Sequence, residues 1–285
     1  MACLINRKKF IFMFLDLHPE GLIALGALPE KIWYVHLWKY LNGLSYRRAE
    51  KLFVLGRDMI PILSRTYGLE RSIFRYIPHW SASESKSPIS FSESKFPKIW
   101  GVSDSFVVQY SGNMGLWHDI DTFVRAAKIL ELHREIQFVF VGGGIRKEKA
   151  INLAREINVK NIHWKESVSL NELSESLAGC HLALISLNKN LEGVAVPSKL
   201  YGILASGRPV IAQVPQKSEV AITVLESGCG VVVEPGDAKG LADVIYRLSR
   251  DVSAVDLMSA AAYNSYCENY HTQKAIDIFE RELLY

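Results

Sequence analysis

Residues 192–212, EGVAVPSKLYGILASGRPVIA, decide how this chain is read. The stretch reads as a glycine-bearing loop, a proline opening a short helix, and a turn into an apolar strand. Pro197 suits a first helical turn, because its missing N–H would have no intrahelical partner there. Ser198 can cap the helix or touch a ligand, and Lys199 adds a positive charge beside the free amides of the helix start. A cation next to that dipole end suits an anion such as a diphosphate. Gly207 ends the helix, and Arg208-Pro209 leads into Val210-Ile211-Ala212. An ordinary helix–turn–strand unit with a solvated lysine fits the same local pattern, so the surroundings have to choose.

The surroundings alternate. Apolar runs place strands at 105–110, 137–141, 161–164, 181–186, 209–213 and 230–233. Helical spacing falls at 118–133, 147–157, 170–178, 197–206, 218–227, 238–250, 254–270 and 273–284. Such alternation predicts a doubly wound parallel sheet with right-handed crossovers. Upstream, residues 10–15 are continuously apolar, as in a central parallel strand. The end of that strand delivers Asp16 and Glu20 toward a ligand crevice, or else into a capped turn. A helix over 29–50, a strand at 51–55, a helix at 57–67 and a strand at 72–77 follow. Serines, prolines and scattered charges then mark an interdomain linker. The expected organisation is a partial N-terminal domain over 1–80, a linker over 81–97, a second domain over 98–270, and a last helix over 271–285 packing back on the first.

Composition narrows the function classes. The 33 basic residues nearly balance the 30 acidic ones, so no nucleic-acid footprint is expected. An apolar fraction of 49% supports a substantial core. Cys3, Cys180, Cys229 and Cys267 show neither a CxxC nor zinc spacing with histidine, which suggests a reducing compartment and buried thiols. Arg7-Lys8-Lys9 before an apolar run imitates a signal peptide, but Asp16, His18 and Glu20 interrupt it early. A soluble, cytoplasmic protein is expected. The basic, Trp- and Tyr-rich helix over 29–50 could lie on anionic lipid at the inner face of the membrane, or pack with its cationic face in water.

Three glycine loops follow predicted strands: 110–115 (YSGNMG), 141–144 (VGGG) and 193–199. Parallel strands put all their C-terminal ends on one side, so the three loops should meet. None is GxGxxG, which argues against a dinucleotide enzyme, and neither a Walker lysine nor a nucleophile elbow is present. Asp119-Ile120-Asp121 is an Asp-x-Asp at a helix start, where acidic residues are favourable without any metal.

Together YSGNMGLWHDIDTFVRAA (110–127), FVFVGGG (138–144) and the opening stretch resemble the donor-binding domain of GT-B glycosyltransferases. They are most similar to retaining family 4, the branch that builds surface polysaccharides, and IPHWS (77–81) and DLHPEGLIALG (16–26) fit it too. The resemblance implies an α/β fold of two Rossmann-like doubly wound parallel sheets with a nucleotide-diphosphate sugar bound between them. The sugar would pass to a saccharide or lipid-linked acceptor with retention, without metal or other cofactor. By the resemblance, Gly112, Asn113, Gly115 and His118 face the diphosphate or sugar, and Lys199 neutralises the leaving diphosphate beside Val196, Pro197 and Ser198. Glu192 and Gly193 sit near sugar hydroxyls, while Gly142, Gly143, Trp164 and Lys165 bound the base. Asp16 and Glu20 are the acceptor-side catalytic candidates. Leu116 replaces a frequent basic residue, Leu15 a histidine, and Gly202 the second of two glutamates eight positions apart. The N-terminal sheet is expected to be incomplete, and a truncated, non-catalytic nucleotide-sugar-binding remnant is the alternative.

Overall fold

The computed structural model describes residues 10–81 and 87–284. Cys3, the basic run at 7–9 and residues 82–86 of the expected linker lie outside them. Two parallel sheets are present. The first contains β1 (Ile11–Phe14), β2 (Lys51–Val54) and β3 (Phe74–Tyr76) in that order. They are joined through helices α1 (Glu20–Ala24), α2 (Trp33–Tyr46) and α3 (Met59–Tyr67). A short helix α4 (Phe96–Trp100) stands at the end of the serine-rich stretch.

The second sheet contains β4 (Phe106–Ser111), β5 (Ile136–Val141), β6 (Ile162–Lys165), β7 (Leu182–Ser186), β8 (Val210–Gln213) and β9 (Gly230–Val233). Their order is β6-β5-β4-β7-β8-β9, all parallel. The connecting helices are α5 (Ile120–Ile129), α6 (Lys147–Glu156), α7 (Leu173–Ala178), α8 (Lys199–Ala205) and α9 (Glu219–Ser227). After β9 come α10 (Ala238–Ser249), α11 (Val252–Ser265) and α12 (Thr272–Leu284). The order reverses between β4 and β7, and ligands of open α/β sheets bind in the crevice at such a point.

Alternation along the strands explains the layering. Val107, Val139, Ile185 and Val210 face an apolar cluster shared with the first sheet, including Phe14, Leu52 and Val54. Val108, Phe138, Leu184 and Ile211 face a second cluster under α5 and α10. A sheet buried on both faces needs the nearly continuous apolar strands seen here. Helix α12 returns to the first sheet: Phe279 meets Phe53 at 5.5 Å, and Glu282 accepts from Arg75 Nε at 2.8 Å.

Several local expectations are corrected. The helix of the opening stretch begins at Lys199 rather than Pro197 and is seven residues long. Pro197 instead forms a tight turn, its carbonyl accepting from Leu200 N–H at 3.2 Å. The segment at 72–77 starts as a 3-10 turn, Arg71–Ile73, and the helix expected at 254–270 ends in a π turn, Tyr266–Tyr270. Cys180 and Cys229 are buried, but Cys267 is exposed. Helix α2 buries Val35, Gly43 and Tyr46. Its outer face is aromatic rather than simply cationic, with Trp33, Tyr34, Leu37, Trp38, Tyr40 and Leu41 exposed. Among the described residues no helix is long and apolar enough to cross a membrane.

Candidate functional site

A cleft of about 570 Å³ opens at the C-terminal ends of β1, β4 and β7. Its floor is the turn at 111–113, backed by a second glycine turn at 142–144. Gly112 and Gly142 sit at φ +127° and +129°, conformations open to glycine. A Cβ on Gly142 would run into the Gly112 carbonyl oxygen, and one on Gly144 into Asn113 and Met114. Met114 N–H donates to Gly143 O at 2.7 Å, and Gly112 N–H to Val141 O at 2.9 Å. Gly142, Gly143 and Gly144 thus brace the loop at 111–115 from behind.

Lys199 points inward onto that floor. Its ammonium donates to Tyr110 Oη at 2.7 Å and lies 4.0 Å from the centre of the same ring. It also stands so close to Gly112 that a Cβ there would come within 3.3 Å of Nζ. Tyr110 is fixed in turn by donating to Asn113 O at 2.8 Å. Burial brings the Lys199 ammonium down to about 7, so the free site holds a poised cation that an anion would recharge. The amides of α8 contribute less than the sequence implied. Those of Leu200 and Tyr201 are taken by the carbonyls of Pro197 and Ser198, at 3.2 Å each.

His118 also lines the cleft. Its Nδ1 lies 2.7 Å from Ser186 O, so Nδ1 carries the proton and Nε2 is left as an acceptor. Burial above all, with Lys199 and Arg146 nearby, lowers it to about 4 and keeps the ring neutral. Asp119 is a helix cap, accepting from Thr122 N at 3.3 Å and Gln213 Nε2 at 2.8 Å. Asp121 pairs with Lys149 at 2.8 Å. The Asp-x-Asp is thereby used in structure.

Across the cleft, Asp16 stands at the end of β1, bridged to Ala195, while Leu17 N–H donates to Val194 O at 2.9 Å. Partial desolvation lifts the Asp16 carboxyl above its usual range, and His18 works against it. Glu20 turns away and accepts from Tyr67 Oη at 2.6 Å. Gly193 faces the other layer, donating its N–H to Asp58 Oδ2 at 2.9 Å. Asp58 Oδ2 also accepts from Glu219 N at 2.9 Å. Burial foremost, and the Glu219 carboxylate, raise Asp58 to about 6. Glu219, 1% exposed, receives the Arg57 amide at 2.7 Å, the Arg57 guanidinium, and Tyr76 Oη at 2.8 Å. This polar cluster holds the two layers at a fixed spacing.

Of the residues singled out from sequence, the cleft gathers Asp16, Gly112, Asn113, His118, Val196, Pro197, Ser198 and Lys199. Glu20, Gly115, Gly142, Gly143, Trp164, Lys165, Glu192 and Gly193 lie outside its lining, and Trp164 stacks on Phe140 at 4.6 Å. Sequence reasoning missed His79, Trp80 and Ser81 on one wall, Trp117 near the mouth, and Leu173 and Leu177 at the apolar end. His79 stacks on Tyr201 at 5.5 Å and 12°. The IPHWS segment held the clue, but only its place as a junction was read.

A family model described as glycosyl transferases group 1 matches residues 92–265. Over 251 residues the chain is 27% identical to "Probable glycosyltransferase WbjE" of Pseudomonas aeruginosa, covering 88% of this chain and 61% of that protein. The chain therefore spans about three-fifths of the length of that curated relative. Among solved structures it is similar to Anabaena Alr3699/HepE in complex with UDP-glucose, with a TM-score of 0.77 and 16% identity, covering 100% of this chain and 74% of that one. Sucrose-phosphate synthase from Thermosynechococcus elongatus gives 0.78 and 17%, covering 99% and 70%. WaaG, a glycosyltransferase involved in lipopolysaccharide biosynthesis, gives 0.69 and 17%, covering 95% and 74%. These likenesses establish the fold, two parallel-sheet layers in GT-B arrangement.

Proposed function

The chain belongs to the group 1 glycosyl transferases, and on that premise we propose that it is a retaining, hexosyl-type enzyme of family 4 serving surface-polysaccharide synthesis. It moves a sugar from a nucleotide-diphosphate donor to a saccharide or lipid-linked acceptor. The observation that carries this reading is the Lys199 ammonium, held 2.7 Å from Tyr110 Oη over the glycine floor at the sheet's switch point. When the bond between the sugar and the diphosphate breaks, negative charge grows on the leaving phosphate. A cation already positioned there stabilises that charge without reorganising. No metal is required in this scheme. Neutral His118 offers Nε2 to a sugar hydroxyl, and Asp16 at the mouth orients the acceptor hydroxyl toward the face the diphosphate leaves. Attack from that same face keeps the anomeric configuration.

The exposed aromatic stripe of α2, flanked by exposed Lys31, Arg47 and Arg48, fits a peripheral contact with anionic lipid on the cytoplasmic side. UDP-glucose, present in the HepE crystal structure, is a sensible first donor. The test is turnover of a panel of nucleotide-diphosphate sugars with and without EDTA, with product anomers assigned by proton NMR. Retained configuration, EDTA resistance and loss of turnover in Lys199→Met are expected; an inverted product overturns the mechanism.

A further inference from the structure

The two ends of the cleft differ, and the difference orients the donor. Asp16, Trp117 and His118 supply polar groups at the mouth, where a hydroxyl-rich sugar and its acceptor fit. Leu173, Leu177 and Ile203 form an apolar end suited to a flat heteroaromatic base. The diphosphate lies between them on Lys199. Gly202 is three residues beyond Lys199 on α8, hence on the same face and about 4.5 Å further along. A ribose joining the diphosphate to the base would pass there.

Among the described residues, the wall carries no carboxylate at this position. Among the described residues lining the cleft, Asp16 is the one acidic side chain. A vicinal diol is best held by a two-oxygen acceptor; the polar side chain closest to Gly202 is the Ser81 hydroxyl. Packing does not demand glycine there. A Cβ on Gly202 would meet Ser81 Oγ at 3.8 Å and Leu177 Cδ1 at 3.9 Å, ordinary contacts. Helix propensity disfavours glycine as well.

Resting on the donor assignment above, we infer that Gly202 makes the nucleoside subsite indifferent to the ribose 2′-hydroxyl. Donors built on 2′-deoxyribonucleoside diphosphates are then accepted alongside ribonucleoside ones. A pocket that does hydrogen-bond a hydroxyl discriminates strongly against the analogue lacking it, because its own polar groups are left unpaired.

Calorimetry on the intact chain decides the matter, using the pairs UDP with dUDP and GDP with dGDP so that base preference does not interfere. In whichever pair binds, the two dissociation constants should agree within about fivefold; a larger advantage for the ribose form overturns the inference. Gly202→Glu supplies a carboxylate and should raise the preference for the ribose form to about tenfold or more, while Gly202→Ala leaves it unchanged. A folded Gly202→Glu variant without that gain also overturns it. If that variant does not fold, the ratio in the parent protein still decides. Should neither pair bind, the donor assignment itself falls, and this inference with it.

Discussion

Replacing Lys199 by methionine removes one charge while keeping an unbranched stem, so the packing around Tyr110 is nearly preserved. The fold should not suffer. The ammonium is pulled down to about 7 by burial, and between that value and its unfolded pKa it is charged only in the unfolded chain. Deleting it therefore leaves stability at neutral pH equal or higher. Binding is another matter. A hydrogen bond to a charged group contributes about 1.5–3 kcal/mol, so the variant should bind a nucleotide sugar about 10- to 150-fold more weakly. Turnover should fall further, by at least about 10²-fold, because charge on the leaving diphosphate grows in the transition state.

The parent should also show a pH signature. With a free-site pKa of about 7, about nine-tenths of the lysine is charged at pH 6 and about one-tenth at pH 8. Diphosphate binding holds the charged form, so affinity should weaken about tenfold between those pH values. The diphosphate of a nucleotide sugar is esterified at both ends and does not titrate in that window. Titrations at pH 6, 7 and 8 with the best donor of the panel read this directly. A flat profile in the parent, or near-equal affinity in Lys199→Met, would refute the role given to this lysine.

Gly142→Ala puts a methyl against the Gly112 carbonyl at a φ of +129° and should abolish donor binding while lowering the melting temperature by several degrees; a thermal-shift titration shows both. Glu219→Ala leaves the Arg57 amide and Tyr76 Oη without their acceptor, while the Arg57 guanidinium keeps Glu226, and should cost about 1–3 kcal/mol, read as a lower urea midpoint. Trp33→Ser with Trp38→Ser should weaken co-sedimentation with phosphatidylglycerol vesicles while leaving nucleotide binding unchanged, since both side chains lie exposed on α2.

The amino-acid sequence by itself determined the α/β class and strand positions within about two residues, and it singled out a lysine that lines the cleft. Each rests on neighbours along the chain: apolar runs of strand length, turn glycines between them, and a cation after Pro197-Ser198. Tertiary structure decided what those elements meet. The order β6-β5-β4-β7-β8-β9 places the end of β4 beside that of β7, and no local pattern encodes which strands pair. The same holds for Gly142 filling in behind Gly112, for Gly193 turning to Asp58, and for Glu20 leaving the mouth to reach Tyr67. Even the helix start moved, because Pro197 could accept the Leu200 amide and close a tighter turn first. The cleft wall at His79, Trp80 and Ser81 comes from a segment far upstream of Tyr201, and only packing across the two layers brings them together.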